Sequence, residues 1–311
     1  MKEKGWKVPR DTFSRDINSI KDIPTEELVV GGASLCGGCP ADLGLKLALK
    51  GMGKNTIVVN ASGCMTLFVT YPHMPLKVPW LHLAIENAGA AVIGINAGLK
   101  VLGKKGINIL CYVGDGATYD IGFQSLSGAA ERGEKFVYVC YNNQSFSNTG
   151  VQMASSTPLL TSTTTTPEGN PFRRKPMVKI MAAHGIPYSA TACVSYPLDF
   201  IKKVQKAAKA DGPTFIDLLC PCPTGWGFEQ SKTIEIGKLA VTTGAWPLYE
   251  IEKGKFSLTL PLQKLEPIET YLKTQRRFHN IRPEQAMEIQ NMINREWDLL
   301  RQGKFWDVVE Y

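Results

Sequence analysis

The sequence predicts an α/β fold: a doubly wound, mainly parallel sheet followed by a C-terminal extension. Three observations carry this reading. Short apolar runs alternate with longer helical runs from residue 42 to residue 219. Two of the apolar runs end in polar clusters rich in glycine or asparagine, as strands with functional carboxyl ends do. Beyond about Pro223 the alternation stops. The expected division is a site-bearing unit over 1–230 and an extension over 231–311 that packs on it or on a partner chain.

Residues 42–52 (DLGLKLALKGM) repeat their apolar side chains at helical spacing and run into a glycine. Residues 56–60 (TIVVN) suit a short buried strand. The small-residue segment 84–102 reads as a helix packed closely against its neighbours. A strand follows at 108–113, a helix at 122–132 and a third strand at 136–141. After a long polar loop come a helix near 177–184, a strand at 188–192, a helix at 198–209 and a strand at 214–219. The extension reads as a hairpin over 248–260, a proline-containing connector and a helix over 283–300. Its Trp297, Phe305 and Trp306 suit a packed tail better than a linker.

Composition narrows the function classes. The 311 residues are 44% apolar and 20% charged, which fits a globular chain and excludes general disorder. The most apolar candidate run, 88–95, is far short of the ~18–20 residues of a membrane span. The amino-terminal MKEKGWKVPRD lacks the apolar core of a secretory signal, so a cytoplasmic location is expected and no membrane. A net charge of +7 is mild and dispersed. Its densest run, Arg173-Arg174-Lys175, reads as a solvated loop, with an acidic partner as the sharper alternative. No basic stripe is interleaved with aromatics, so no nucleic-acid partner is expected.

Eight cysteines say more. In a reducing compartment a CxxC pair is metal-binding or redox-active rather than structural. Cys36-Gly-Gly-Cys39 is such a pair; Cys64 follows Gly63, and Cys220-Pro-Cys222-Pro lies far downstream. Cys111, Cys140 and Cys193 fall in or beside apolar strand-like runs and read as small core residues. A zinc ribbon normally supplies a second CxxC, which is absent; a thioredoxin-type dithiol belongs to a much shorter domain.

Gly114-Asp115-Gly116 closes the strand at 108–113, and Asn142-Asn143 closes the strand at 136–141. Glycines let backbone approach a ligand, Asp115 offers a hard oxygen to a divalent cation, and Asn143 a neutral one. A helix expected to start near 119–122 can present amides to a phosphate. Alone, GDG is also what a tight turn after a strand looks like. The thirty-residue span from Gly114 to Asn143 holds one helix and one strand, and so resembles the signature of thiamine-diphosphate (ThDP) enzymes. The resemblance implies Mg²⁺ held by Asp115, Asn143 and the carbonyl of Ser145.

Most of the chain is similar to the β subunit of pyruvate:ferredoxin oxidoreductase and its 2-oxoacid relatives. The matching runs are LCGGCPADLGLKLAL, VVNASGCM, KVPWLHLAIENA, GDGATYDIGFQSLSGAAERG, SFSNTGVQ, MAAHGIPY and CPCPTGWGF. The resemblance implies that 1–230 is a ThDP and iron–sulfur binding domain. It further implies a 4Fe–4S cluster on Cys36, Cys39, Cys64 and Cys222, with Cys220 left as a buried structural thiol. Gly63, Cys64, His82, Gly114, Asp115, Gly116, Ala117, Asn143 and Thr149 would contact the cofactor, and Asn148 the substrate or intermediate. The null for Asn148 is a loop-capping asparagine. His184 and His279 read as structural.

The implied activity is oxidative decarboxylation of pyruvate to acetyl-CoA and CO₂, with electrons passed to ferredoxin. The activating glutamate of the family sits on a partner chain, so further subunits of α, γ and δ types, some of them fused, are expected, carrying more clusters. Two other classes compete: a non-redox ThDP enzyme would leave the cysteines idle, and an electron-transfer-only iron–sulfur subunit would leave GDG and the asparagine pair idle. Three departures from the pyruvate pattern, Thr66, the YPHMPL run with His73, and Ala117, raise oxalate as an alternative CoA-independent substrate. The loop at 144–175 exceeds thirty residues, which marks function or disorder; disorder is an open alternative around 161–170, whereas 145–152 must be ordered if Ser145 binds the metal.

Overall fold

A computed structural model describes residues 16–70 and 72–308. The amino-terminal run and Tyr71 therefore lie outside the described residues.

The chain enters the fold through α1 (Pro40–Met52). Cys39 is its N-cap residue, Pro40 opens its first turn, and Gly53, at φ 76°, ends it. β1 (Thr56–Ala61) and β2 (Trp80–Leu83) follow, then α2 (Ala88–Val101) and β3 (Asn108–Gly114). A π-helical turn over Gly116–Ile121 leads into α3 (Phe123–Glu131), and β4 (Phe136–Asn142) comes next. Beyond the long loop lie α4 (Met177–Ala183), β5 (Tyr188–Cys193), α5 (Pro197–Lys209) and β6 (Pro213–Leu219). The remainder holds α6 (Pro223–Trp226), α7 (Thr233–Thr242), the strands β7 (Tyr249–Glu252) and β8 (Lys255–Leu258), α8 (Ile268–Leu272) and α9 (Pro283–Arg301).

Among the described residues eight strands form one sheet in the order β2-β1-β3-β4-β6-β5-β7-β8. The first six are parallel; β7 runs antiparallel to β5, and β8 to β7. Alternation along the strands feeds two cores. Leu110 and Tyr112 join Leu45, Leu49, Phe200 and Val204 of α1 and α5 on one face. Ile109, Cys111 and Val113 join Val92, Leu126 and Met181 of α2, α3 and α4 on the other. A third core around Trp226, Trp246 and Trp297 binds α6, α7, α8 and α9 together.

Three differences from expectation have physical causes. β2 carries no strand pattern: four half-exposed residues after a proline show no alternation, and the helix expected from 84 begins at Ala88. The backbone turns helical directly after Asp115, earlier than 119–122, through the π-helical turn, a form that favours functional sites. Residues 161–170 are ordered rather than disordered. Thr163 Oγ1 lies 2.8 Å from Thr166 Oγ1, and Asn170 Nδ2 donates to the carbonyls of Thr157 and Pro158 at 2.8 and 3.2 Å.

Candidate active site and thiol cavity

The strand order runs from β1 to β2 in one direction and from β1 to β3 and β4 in the other. Ligands of open parallel sheets bind at such a reversal, outside the carboxyl ends. A cleft of about 370 Å³ opens there. Its walls come from the ends of β1 (Ser62, Gly63, Cys64), β3 (Gly114 to Ala117) and β4 (Asn143, Ser145 to Thr149). Register explains the convergence: Gly114 pairs with Tyr141, so the residues just beyond each strand emerge side by side.

Asp115 is 1% exposed, and burial pushes its carboxyl up to about 7, with Ser156 opposing and Asp217 and Asp120 adding to the rise. Ser156 Oγ donates to Asp115 Oδ2 at 2.5 Å. The other oxygen, Oδ1, lies 3.1 Å from the terminal amide atom of Asn143, which is also 2.8 Å from the Ser145 carbonyl. With its nitrogen turned inward the Asn143 amide donates to both groups; with its oxygen inward it would instead join them as a donor to a cation.

Neighbouring side chains hold the ligands in place. The Trp226 indole donates to the Asn143 carbonyl at 2.8 Å, and Ser147 Oγ donates to Asn143 Oδ1 at 2.9 Å. Asn142 points away from the cleft: its amide donates to Tyr119 Oη and Asp217 Oδ1, both at 3.1 Å, and Tyr119 donates to Asp217. Of the asparagine pair, Asn143 lines the cleft and Asn142 does not. Gly116 is needed because the Phe146 ring occupies the space of a side chain, and a Cβ at Gly63 would come within 2.9 Å of Tyr141 Oη.

A second cavity, of about 260 Å³, adjoins the first. Cys36, Cys39, Cys64 and Cys222 all line it, and so does Cys220. Burial pushes the Cys39 thiol up to about 11 and raises those of Cys64 and Cys222, with the neighbouring thiols adding to each rise. Cys222 Sγ accepts from the Gly225 amide at 3.2 Å, whereas Cys220 is fully buried with its thiol 3.9 Å from the Pro40 carbonyl. The glycines of the CGGC loop admit Gln230, whose side chain and carbonyl fill the space beside Gly37 and Gly38. Among the described residues no three His, Cys, Asp or Glu side chains meet about a single-ion point.

Cys64, Asn143, Ser147 and Asn148 line both cavities, so the two share a wall. Thr149 and Ala117 line the cleft as expected. His82 does not: its ring bonds Asn60 Oδ1 at 3.0 Å and Ser62 Oγ at 3.2 Å, one residue behind the lining. Thr66 lines the cleft, with its hydroxyl accepting from the Gly63 amide at 3.1 Å, but His73 is exposed away from it. Ser156 and Trp226 support the site without a site signal of their own in the sequence: Trp226 lies in the CPCPTGWGF run, and Ser156 in a polar loop that carries no pattern.

Comparison with known proteins agrees with this geometry. Residues 61–218 match the thiamine pyrophosphate enzyme C-terminal TPP binding domain. Pyruvate synthase subunit PorB of Methanothermobacter thermautotrophicus is 48% identical over 278 residues, 88% of this chain and 96% of the relative. The chain is a member of the 2-oxoacid:ferredoxin oxidoreductase β-subunit family. Ketoisovalerate oxidoreductase subunit VorB of Pyrococcus horikoshii, another member, is 44% identical over 292 residues, 90% of this chain and 94% of its own. A solved 2-oxoglutarate:ferredoxin oxidoreductase from Magnetococcus marinus shares the fold at 17% identity. Its TM-score is 0.55, over 71% of this chain and 84% of that one. Like its family, the chain is part of a ThDP-dependent oxidoreductase. No helix among the described residues is long and apolar enough to cross a membrane.

Proposed function

We propose that this β subunit holds Mg²⁺-ThDP in the oxygen-lined cleft and a 4Fe–4S cluster in the thiol-lined cavity, and that its complex oxidises pyruvate with CoA. The observation that carries the reading is the shared wall: Cys64 and Asn148 border both cavities, so electrons leaving one site have a direct neighbour to enter. The reaction balances as pyruvate and CoA giving acetyl-CoA, CO₂, a proton and two electrons, passed singly through the cluster towards ferredoxin.

The residues fit both groups. With the Asn143 amide oxygen turned inward, Asp115, Asn143 and the Ser145 carbonyl would offer Mg²⁺ three hard donors, and the buried carboxylate would gain the positive charge it lacks. Burial disfavours the ionised form of Cys39, Cys64 and Cys222, which a soft cation would hold as thiolates, and Cys36 lines the same cavity. ThDP supplies a nucleophilic carbon and an electron sink for decarboxylation. Within this chain Asp115, Asn143 and Ser145 fix the diphosphate through the cation, and Asn148 offers an amide at the mouth shared with the cluster. The activating carboxylate comes from another subunit, as do the further clusters. The family's reduced thiols suit a cytoplasmic complex.

Pyruvate is favoured over oxalate by the pyruvate synthase relatives and by one feature of the cleft. Of the departures that suggested a dianionic substrate, Thr66 and Ala117 line it and His73 does not, so the added imidazole is missing where a second carboxylate would sit. The test is viologen reduction by the purified complex. CoA-dependent turnover of pyruvate is expected, with slower turnover of branched 2-oxoacids. Turnover of oxalate without CoA, and none of pyruvate, would reject the assignment. Iron, labile sulfide and bound thiamine in the same preparation check the two cofactors.

A further inference from the structure

We infer that Ser156 is a positioning residue for the cation site, holding Oδ2 of the Asp115 carboxylate so that Oδ1 is turned towards the Asn143 amide, which also reaches the Ser145 carbonyl. The inference rests on the Mg²⁺ reading above and concerns a residue that lines neither cavity.

A carboxylate on a short side chain can turn about its terminal bond, and each oxygen can serve either the cation or a hydrogen-bond donor. The Ser156 hydroxyl removes that freedom. It is 0% exposed, and its bond of 2.5 Å takes Oδ2. Oδ1 is left 3.1 Å from the Asn143 amide atom.

Ser156 can do this because its own segment is tied to both strands that supply ligands. Ser155 clips onto Asp120, just beyond β3: its amide donates to Asp120 Oδ2 at 3.1 Å and its hydroxyl to Oδ1. Thr157 Oγ1 donates to the Gln144 carbonyl at 2.8 Å, between the two ligands just beyond β4, and accepts from the Ala154 amide at 2.9 Å. Residues 154–157 thus span the gap between the Asp115 half and the Asn143–Ser145 half of the site. The hydroxyl that orients the carboxylate is referenced to both. Partners behind a metal ligand of this kind are worth about 10–100-fold in metal affinity.

The experiment titrates Mn²⁺, in place of Mg²⁺, into the purified complex with ThDP present and follows free Mn²⁺ by electron paramagnetic resonance. Ser156→Ala is expected to raise the Mn²⁺ dissociation constant about 10–100-fold with iron content unchanged. Ser156→Thr, which keeps the hydroxyl, is expected to restore most of the affinity. Ser155→Ala removes the hydroxyl bond to Asp120 but keeps the amide bond, and is expected to weaken Mn²⁺ binding much less than Ser156→Ala does. Wild-type affinity in Ser156→Ala, or equal weakening in Ser155→Ala, overturns the inference. Should Ser156→Ala not assemble, Ser156→Cys, close in size and a weak donor, replaces it under the same outcomes. Asp115→Ala separates the two levels. If it also binds Mn²⁺ normally, the cation site itself is wrong; if it alone loses Mn²⁺, only the role of Ser156 falls.

Discussion

The oxygen-lined cleft draws its donors from the ends of two adjacent strands, β3 and β4, whereas the thiol-lined cavity gathers its sulfurs from a loop before α1, a turn after β1 and a turn after β6. The first is set by register and by buried hydrogen bonds to Asp115 and Asn143. The second depends on three segments that meet only when most of the sheet is in place, and one thiol, Cys36, is exposed. The oxygens thus sit at neighbouring strand ends, whereas the thiols come from three segments far apart in the chain.

The sharpest way to break that comparison is to remove one ligand from each side. Asp115→Ala is expected to lose Mg²⁺-dependent ThDP retention completely while keeping its iron; Cys222→Ala is expected to lose the cluster while keeping ThDP. Thiamine and iron analysis of the two complexes checks both, and loss of both groups in both variants would mean that the sites are not separable. Cys220→Ala is expected to keep its iron; iron loss there, with retention in Cys222→Ala, would reverse the choice within the pair.

Smaller effects sharpen the same comparison. Gly38 has φ 70° and abuts the Gln230 carbonyl, so Gly38→Ala strains backbone against backbone and should lower iron content clearly. Trp226→Phe removes the donor to the Asn143 carbonyl and should cost about 1–3 kcal/mol of stability, read as a fall in melting temperature, with iron retained. Gly37→Ala should do least, because its obstacle is the movable end of the Gln230 side chain. Iron loss in Gly37→Ala equal to that in Gly38→Ala would show that Gln230 is not free to give way.

The parts legible in the sequence were those with a local pattern. β3 and β4 are apolar runs closed by polar clusters, and their ends carry Asp115 and Asn143. The four cysteines were legible through resemblance to a family, since nothing local joins Cys39 to Cys222. β2 was not legible, because its partly exposed residues are held by pairing to β1 rather than by a face of their own. The threonine-rich stretch at 161–170 looked featureless because its order comes from hydroxyl and amide bonds across the loop, which leave no periodicity. His82 fell one layer short of the cleft, at a separation that a sequence run cannot resolve.

The position of Cys222 after the sixth strand has a consequence in time. Cys36 and Cys39 leave the ribosome roughly 190 residues ahead of it, which at ~5–20 residues per second is roughly 10–40 s. Throughout that interval the early pair belongs to a nascent chain whose pocket does not yet exist, and its nearest sulfur is its own neighbour. In an oxidising milieu the two would close on each other before the distant thiol arrived. A cluster held by all four thiols would therefore be completed only late in synthesis, and recombinant production is expected to gain more from keeping the growing chain reduced than from supplying iron early.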